Sequence, residues 1–247
     1  MSSETRIFDG TRSAPLVRSE YRQRYHTILQ RHLPLNFAAF SSFFANTKRL
    51  ETMAGMLQRH FHGTGKTILN VGCGPFASEI FVAAFQQQTV HAFDYTPEFA
   101  IFFDIFRKEG VLEGVSFANA DAMSIDFPPA RFHLIVMHDL LYETALDLDL
   151  LLSRLTPFLV GNGLIYIDFM NARLHWLWRL LGKEKQYRRY RPDEVWDILN
   201  RHGLEVLEHR PVLPSAAGLT AVFHSLLRLF GTSNAIAVVA RLKSGHG

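Results

Sequence analysis

The residues of this chain best suited to binding a ligand lie in the run Asn70-Val-Gly-Cys-Gly-Pro75. An apolar stretch from Thr67 ends here in two closely spaced glycines, and a helical pattern follows. Gly72 and Gly74 leave the backbone bare, so that it can approach a ligand closely. A helix that begins after them directs free N–H groups and the positive end of its dipole toward the same place. The run therefore predicts a nucleotide-like cofactor site and leaves the cofactor open.

Two aspartates end the next two predicted strands. Asp94 comes about twenty residues after the glycines, and a carboxylate there can accept hydrogen bonds from both hydroxyls of a ribose. We favour this function over that of a solvated turn residue. Asp121 ends the following strand, but aspartate is common at turns, so a binding role and a turn role are equally compatible with its position.

His138 is the best candidate for a catalytic base, because it follows an apolar strand and its imidazole titrates near neutral pH. Asp139, Tyr142 and Asp168 are further candidates. A histidine at a strand end is often only a hydrogen-bonded structural residue, and this alternative stays open. The other histidines show no metal-ligand spacing, so no metal site is predicted.

The elements that would position these residues alternate between strands and helices. Strands are predicted over Thr67–Val71, Val90–Phe93, Val115–Ala120, Phe132–Met137, Leu164–Ile167, Leu204–Leu207 and Ala235–Ala240. Helices are predicted over Ala77–Gln87, from Thr96 as N-cap with Pro97 in the first turn, over Leu146–Leu159 up to the Gly161-Asn-Gly163 stop, and over Asp193–His202. This order predicts an α/β fold with a doubly wound, mostly parallel sheet, whose ligands bind at the carboxyl ends of the strands.

The composition agrees with one structural unit. Residues 1–62 are predicted to form an N-terminal helical lid segment, and residues 63–247 the cofactor-binding α/β domain. The N-terminus shows no signal-peptide pattern and no apolar run is long enough to span a bilayer, while Cys73 is the only cysteine. We therefore expect a cytoplasmic protein without disulfides. A net charge of +3 is too small to indicate a nucleic-acid partner.

Taken in order, five motifs resemble those of the class I S-adenosylmethionine-dependent methyltransferases. They are Ile68–Pro75, His91–Tyr95, Asn119–Met123, Phe132–His138 and Gly163–Asp168. The resemblance covers residues 65–210 and the final predicted strand. It implies a seven-stranded Rossmann-like sheet with the last strand antiparallel, S-adenosylmethionine as cofactor, and methyl transfer as the reaction.

The resemblance also implies roles for the loop residues. Gly72, Cys73 and Gly74 would lie under the methionine part of the cofactor. The family often has Asp or Glu where this chain has Asn70, which can still accept a hydrogen bond. It also has a third glycine where this chain has Phe76, and we expect that ring to pack under a neighbouring helix, away from the loop.

Further roles follow from the same resemblance at the strand ends. Asp94 would bind the ribose hydroxyls, with Tyr95 beside the adenine. Asp121 would accept a hydrogen bond from the adenine amino group, and Ala122 would offer its backbone N–H. At the end of the fourth strand, Met137 and His138 would border the sulfonium and the acceptor.

Other functions remain compatible with the sequence. The pattern Gly72-x-Gly74-x-x-Ala77, followed by Asp94, also fits an NAD(P)-dependent oxidoreductase. A third possibility is a non-catalytic S-adenosylmethionine-binding relative that acts as a partner protein.

The acceptor and any further partners are indicated only by composition. Four phenylalanines within residues 36–44 favour a small, mostly apolar or aromatic acceptor, although core packing is the more common use of such rings. The basic, Trp-containing segment 173–191 could contact an anionic substrate group, a phosphorylated carrier or a membrane surface, aided by the apolar stretch Leu213–Phe230. An ordinary solvated cationic face is equally compatible with this segment. The oligomeric state is left open.

Overall fold

The computed structural model describes residues 19–32, 47–174, 179, 187–212 and 233–244. Their helices are α1 (Ser19–His32), α2 (Thr47–His60), α3 (Ala77–Phe81), α4 (Glu98–Lys108), α5 (Leu148–Leu155) and α6 (Pro192–Arg201). Their strands are β1 (Thr67–Val71), β2 (Thr89–Asp94), β3 (Val115–Asn119), β4 (Phe132–Met137), β5 (Leu159–Met170), β6 (Leu204–Val212) and β7 (Ala235–Leu242). Short 3₁₀ turns cover Ala83–Phe85, Thr156–Phe158 and Ala172–Leu174.

The seven strands of the described residues form one sheet in the order β3-β2-β1-β4-β5-β7-β6. The strands from β3 to β5 pair in parallel, whereas β7 pairs antiparallel with both β5 and β6. The order reverses at β1, so the carboxyl ends of β1, β2 and β4 meet beside the crevice where such sheets bind ligands. The predicted doubly wound sheet and its antiparallel last strand are confirmed.

Helices cover both faces of this sheet. Alternate strand residues point to opposite faces, as β4 shows: Leu134 and Val136 join the core under α1 to α4, whereas Ile135 and Met137 join the core under α5 and α6. The phenylalanines of α4 are buried in the first of these cores, as expected from their helical spacing. Because α1 and α2 contribute side chains to the same core, the N-terminal helices and the sheet share one interior.

The helix predicted over Ala77–Gln87 is shorter than expected. It ends at Phe81, because Val82 has an extended backbone with φ −89° and ψ 119°, and a 3₁₀ turn follows. Val82 is β-branched and fully buried, and such residues favour extended backbone. The glycine loop is therefore followed by a helix of one and a half turns.

The helix predicted over Leu146–Leu159 also differs. The side chain of Asp147 caps α5 by accepting a hydrogen bond from the Leu150 N–H, and Pro157 brings the helix to an end in a 3₁₀ turn. Strand β5 then begins at Leu159 and continues through the Gly161-Asn-Gly163 stretch, which was predicted to separate helix from strand.

Two smaller differences concern element ends. Thr96 was predicted to be the N-cap of α4, but the helix begins at Glu98, no side chain caps it, and Thr96 contributes only its carbonyl to the Phe99 N–H. Strand β6 extends to Val212, beyond the predicted end at Leu207, because β7 pairs with it along that length. Among the described residues, no helix has both the length and the apolar character needed to cross a bilayer.

Candidate cofactor and catalytic site

A cavity of about 360 Å³ opens at the carboxyl ends of β1, β2 and β4. It lies where the glycine loop, the turn after β2 and the turn after β4 come together. Its walls are formed by Arg49, Leu50, Asn70, Gly72, Cys73, Gly74, Pro75, Ala77, Ser78, Asp94, Tyr95, Thr96, Phe99, His138, Asp139, Leu140, Tyr142 and Glu143.

The glycine loop packs closely on the neighbouring strand and on the turn after β4. The N–H groups of Gly72 and Cys73 both donate to the carbonyl of Phe93, at 2.9 and 3.0 Å, which ties the loop to β2. Gly72 has a φ of +67°, and a Cβ there would lie 2.6 Å from the Leu140 side chain. Gly74 has a φ of +57°, and a Cβ there would meet no protein atom within 4 Å, so this face of the loop is open to a ligand.

Phe76 follows the loop in the left-handed region, with φ 64°. Its ring is fully buried between Phe103 of α4 and Phe117 of β3, at centroid distances of 5.6 and 5.3 Å. The ring therefore points away from the cavity, as expected. Packing of this ring compensates for the backbone strain that a third glycine would have avoided.

Asp94 has a structural function, and its predicted binding of ribose stays a prediction. Its Oδ2 accepts a hydrogen bond from the Gly74 N–H at 3.0 Å, and its Oδ1 accepts one from the Thr96 N–H at 2.9 Å. The carboxylate is 7% exposed and lines the cavity. Each oxygen has a further lone pair, so ribose hydroxyls can bind without displacing these contacts.

The other predicted cofactor residues divide into two groups. Asn70, Gly72, Cys73, Gly74, Asp94, Tyr95 and His138 line the cavity. Asp121, Ala122 and Met137 do not line it. Asp121 is exposed and accepts a hydrogen bond from the Met123 N–H, as a turn residue does, while Ala122 and Met137 are buried in the core under α5 and α6. Their predicted contacts with adenine and sulfonium stay predictions.

Asn70 forms a buried pair with a residue that the sequence did not single out. Its Nδ2 donates to Glu79 Oε1 at 2.6 Å, and the two residues are only 1% and 3% exposed. Burial raises the pKa of Glu79 to about 7. Asn70 Oδ1 and Glu79 Oε2 are buried without a hydrogen-bond partner among the described residues. Of the two residues only Asn70 lines the cavity, so its Oδ1 is the atom that can still accept from a donor group there.

The candidate base His138 contacts a second buried carboxylate. Its Nδ1 lies 2.9 Å from Asp168 Oδ2, an ion-pair distance, although the direction does not meet the criteria of a hydrogen bond. Because the ring lines the cavity while Nδ1 is buried, Nε2 is the nitrogen left for a ligand. The geometry therefore brings together His138 and Asp168, which the sequence named separately.

Asp168 is fully buried and does not line the cavity. Burial alone would raise its pKa, but the charge of Arg49 and the contact with His138 outweigh this effect and hold the pKa below its usual range. Tyr142 does line the cavity, and burial together with the nearby Asp139 carboxylate raises the pKa of its hydroxyl. Tyr142 is therefore suited to donate a hydrogen bond, and is a poorer base than an imidazole.

Arg49 is a site residue that the sequence did not indicate. It lies in α2, 119 residues before Asp168, and no local spacing connects the two. Its guanidinium donates to both oxygens of Asp168, at 3.1 and 3.0 Å, and pairs with Asp139 on its other side. Arg49 and Asp139 line the cavity, and Asp168 lies buried behind them.

The charges around the cavity favour a cationic ligand. Asp94, Asp139 and Glu143 line it as carboxylates, and Arg49 is the only Lys or Arg among the described lining residues. Because Arg49 already binds two carboxylates, the excess charge facing a ligand is negative. Among the described residues, no group of three His, Cys, Asp or Glu side chains is arranged to hold a metal ion.

Comparison with solved structures gives the class of this fold. No family model and no curated relative matches the sequence. The [4+2]-cyclase SpnF is similar in structure, with a TM-score of 0.62 and 19% identity over 80% of this chain and 81% of that one. Geranyl diphosphate C-methyltransferase from Streptomyces coelicolor A3(2), solved with S-adenosyl-L-homocysteine, has a TM-score of 0.60 and 17% identity over 78% and 77%.

A third neighbour spans almost the whole chain. It is the 1,6-didemethyltoxoflavin-N1-methyltransferase of Burkholderia thailandensis, solved with its substrate and S-adenosylhomocysteine, with a TM-score of 0.58 and 17% identity over 96% of this chain and 93% of that one. The chain has the fold of the class I S-adenosylmethionine-dependent methyltransferases. At these identities the likeness defines the fold, and a cyclase among the neighbours shows that the fold alone does not define the reaction.

Proposed function

We propose that this protein is an S-adenosylmethionine-dependent methyltransferase acting on a small, mostly apolar or aromatic acceptor. The observation that carries this proposal is the glycine loop bound to Asp94 beneath a cavity of negative charge. S-adenosylmethionine is a sulfonium cation with an α-ammonium group, so it is complementary to such a wall. Several structural neighbours were solved with S-adenosylhomocysteine, which supports the same cofactor.

The same features argue against a nicotinamide dinucleotide. Its diphosphate would need free N–H groups and positive charge at the loop. Here the Gly74 N–H is already bonded to Asp94, and the one lining arginine, Arg49, is bound to carboxylates. Helix α3, which follows the loop, has only five residues, so its dipole is small.

The residues of the loop fit the amino-acid end of the proposed cofactor. Asn70 lines the cavity and its Oδ1 has no partner among the described residues, so it can accept a hydrogen bond from an ammonium group. Glu79 lies behind Asn70 and holds its amide in place. Asp94 and Tyr95 would contact the ribose and the adenine.

When bound, the sulfonium supplies an activated methyl group, so the protein must mainly hold the acceptor in line with it. His138 would accept the acceptor's proton at Nε2, and the 2.9 Å contact of its Nδ1 with Asp168 supports this role. Tyr142 can orient the acceptor by donating a hydrogen bond. An acceptor with a weakly acidic O–H, such as a phenol, needs such a base, and we favour it on this ground.

The test combines methyl-labelled S-adenosylmethionine with a panel of small phenols, other hydroxylated aromatics and aromatic amines. We expect one class to be methylated, and His138→Gln to lower kcat by about 10²- to 10⁴-fold, the usual contribution of a general base. Affinity for S-adenosylhomocysteine should be unchanged in this variant. Normal turnover by His138→Gln would remove its catalytic role, and cofactor binding without any product would favour the non-catalytic alternative.

A further inference from the structure

The N-terminal helix α2 contributes a buried charge to the site. We propose that Arg49 is a positioning residue, which fixes the Asp168 carboxylate so that His138 faces the acceptor as a neutral imidazole with its proton on Nδ1 and Nε2 free. Only the role of that imidazole as a proton acceptor rests on the proposed function.

The contacts of Asp168 define the geometry. Its Oδ1 accepts hydrogen bonds from Arg49 Nη2 at 3.0 Å and from the Asp139 backbone N–H at 2.8 Å. Its Oδ2 accepts one from Arg49 Nε at 3.1 Å and lies 2.9 Å from His138 Nδ1. The two-point contact with the planar guanidinium fixes the plane of the carboxylate, and thereby the direction from which Oδ2 meets the imidazole.

Arg49 also supplies a positive charge beside the Asp168 carboxylate. Asp168 is fully buried, and a buried carboxylate is stable only when a positive charge or hydrogen-bond donors compensate it. With Arg49 present, Asp168 has a cationic partner, which it shares with Asp139, so its charge does not by itself require a protonated His138. Without Arg49, the imidazole would be the only group, among the residues that the structure describes, that contacts Asp168 and could become cationic. An imidazolium cannot accept a proton.

Other groups around His138 do not take over this function. They are Glu79 of α3, Asp139 and Tyr142 of the turn after β4, and Tyr166 and Asp168 of β5. None of them brings a positive charge to the ring. Arg49 is the positive charge that opposes them, and Arg49 Nη1 also pairs with Asp139 in the same cluster.

The experiment measures the titration of the His138 ring directly, by nitrogen-15 NMR of histidine-labelled protein. The signal is identified by its loss in His138→Gln. In Arg49→Met we expect the midpoint of this titration to rise by at least one pH unit, and in Arg49→Lys by less, because lysine keeps the charge without the two-point contact. If the methyltransferase proposal holds, the pH dependence of kcat should move in the same direction, and at pH values below both midpoints kcat should fall about tenfold for each pH unit by which the midpoint rises.

Arg59→Met provides a matched control. Arg59 lies on the same helix and makes the same two-point contact, with Glu208, at 3.0 and 2.9 Å, away from the cavity. Its loss should leave the His138 titration unchanged. An unchanged midpoint in folded Arg49→Met would refute the inference, and if that variant does not fold, an unchanged midpoint in folded Arg49→Gln would do so, because glutamine also removes the charge. A raised midpoint in a protein that transfers no methyl group would support the positioning role of Arg49 and refute only the proposed reaction.

Discussion

Glu79 should make the stability of the protein depend on pH in a way that one substitution removes. The carboxyl is buried beside Asn70, and burial raises its pKa from an ordinary value of 4.5 to about 7. In the unfolded chain the group loses its proton near pH 4.5. The folded protein therefore binds more protons than the unfolded one between these two values, and its stability falls as the pH rises through this window.

The size of the effect follows from the same two values. Each pH unit corresponds to about 1.4 kcal/mol per bound proton, so the free energy of unfolding should fall by about 2–3 kcal/mol between pH 5 and pH 8 because of Glu79 alone. Gln has the same shape, stays neutral, and can still accept the Asn70 hydrogen bond through its amide oxygen. In Glu79→Gln this part of the pH dependence should disappear, so the free energy of unfolding of the variant should increase relative to that of the wild type as the pH rises.

Urea unfolding at pH 5, 6, 7 and 8 measures this difference, because other titrating groups, the histidines included, cancel between the two proteins. Glu113→Gln removes an exposed carboxyl and serves as the control, for which we expect a curve parallel to that of the wild type. Parallel curves for Glu79→Gln and the wild type would show that the Glu79 carboxyl is not destabilised by burial, and the reasoning would be wrong.

Three further predictions concern ligand binding. Asp94→Ala should weaken S-adenosylhomocysteine binding by about 1.5–3 kcal/mol, roughly 10- to 150-fold, as measured by isothermal titration calorimetry; wild-type affinity would leave Asp94 as a turn residue only. Gly74→Val should abolish this binding, because the valine Cβ would enter the cavity. The φ of +57° at this position costs a residue with a side chain only about 1–2 kcal/mol, so the protein should stay folded, which circular dichroism checks. Replacing the three arginines within residues 187–191 by Gln should raise the acceptor KM and leave the cofactor affinity unchanged. Vesicle co-sedimentation with and without anionic lipid tests whether the segment binds a membrane surface. If KM and lipid binding both stay at wild-type values, the segment is an ordinary surface.

The last of these predictions has partial structural context. Within the described part of segment 173–191, Arg188 pairs with Asp147 and lies over the Tyr190 ring, while Arg191 pairs with Asp193. These contacts reduce the free positive charge that the sequence suggested. Residues 175–178 and 180–186, both tryptophans among them, lie outside the described residues, as do the phenylalanines of residues 36–44 and the stretch Leu213–Phe230.

The fold could be predicted because its signals are local. Apolar runs that end at a glycine, an aspartate or a histidine mark β1, β2 and β4, and short connections between them require a parallel sheet. The wrong predictions concern helix ends, because a single residue can determine where a helix stops. The extended backbone of Val82 and the 3₁₀ turn at Pro157 overrode a helical pattern that looked longer.

The site could be predicted only where its residues lie on neighbouring strands that follow each other in the sequence. The glycine loop and Asp94 are joined by adjacent strands, so their order along the chain was sufficient. Arg49 and Glu79 could not be found in this way. Arg49 reaches Asp168 through packing of α2 on the sheet, and the polar nature of Glu79 gave no sign that the side chain would be buried. The carboxylate that the family has at Asn70 is absent here, and a buried acid contacts that residue from α3.

The central claim is that this cavity binds the cofactor of a methyltransferase. Calorimetric titration of the purified protein with S-adenosylhomocysteine, NAD⁺ and NADP⁺ under identical conditions tests it most directly. We predict saturable binding of S-adenosylhomocysteine and no heat from either dinucleotide, because the lining carboxylates attract the ammonium group of S-adenosylhomocysteine and repel a diphosphate. Binding of NAD⁺ or NADP⁺ without binding of S-adenosylhomocysteine would contradict the account.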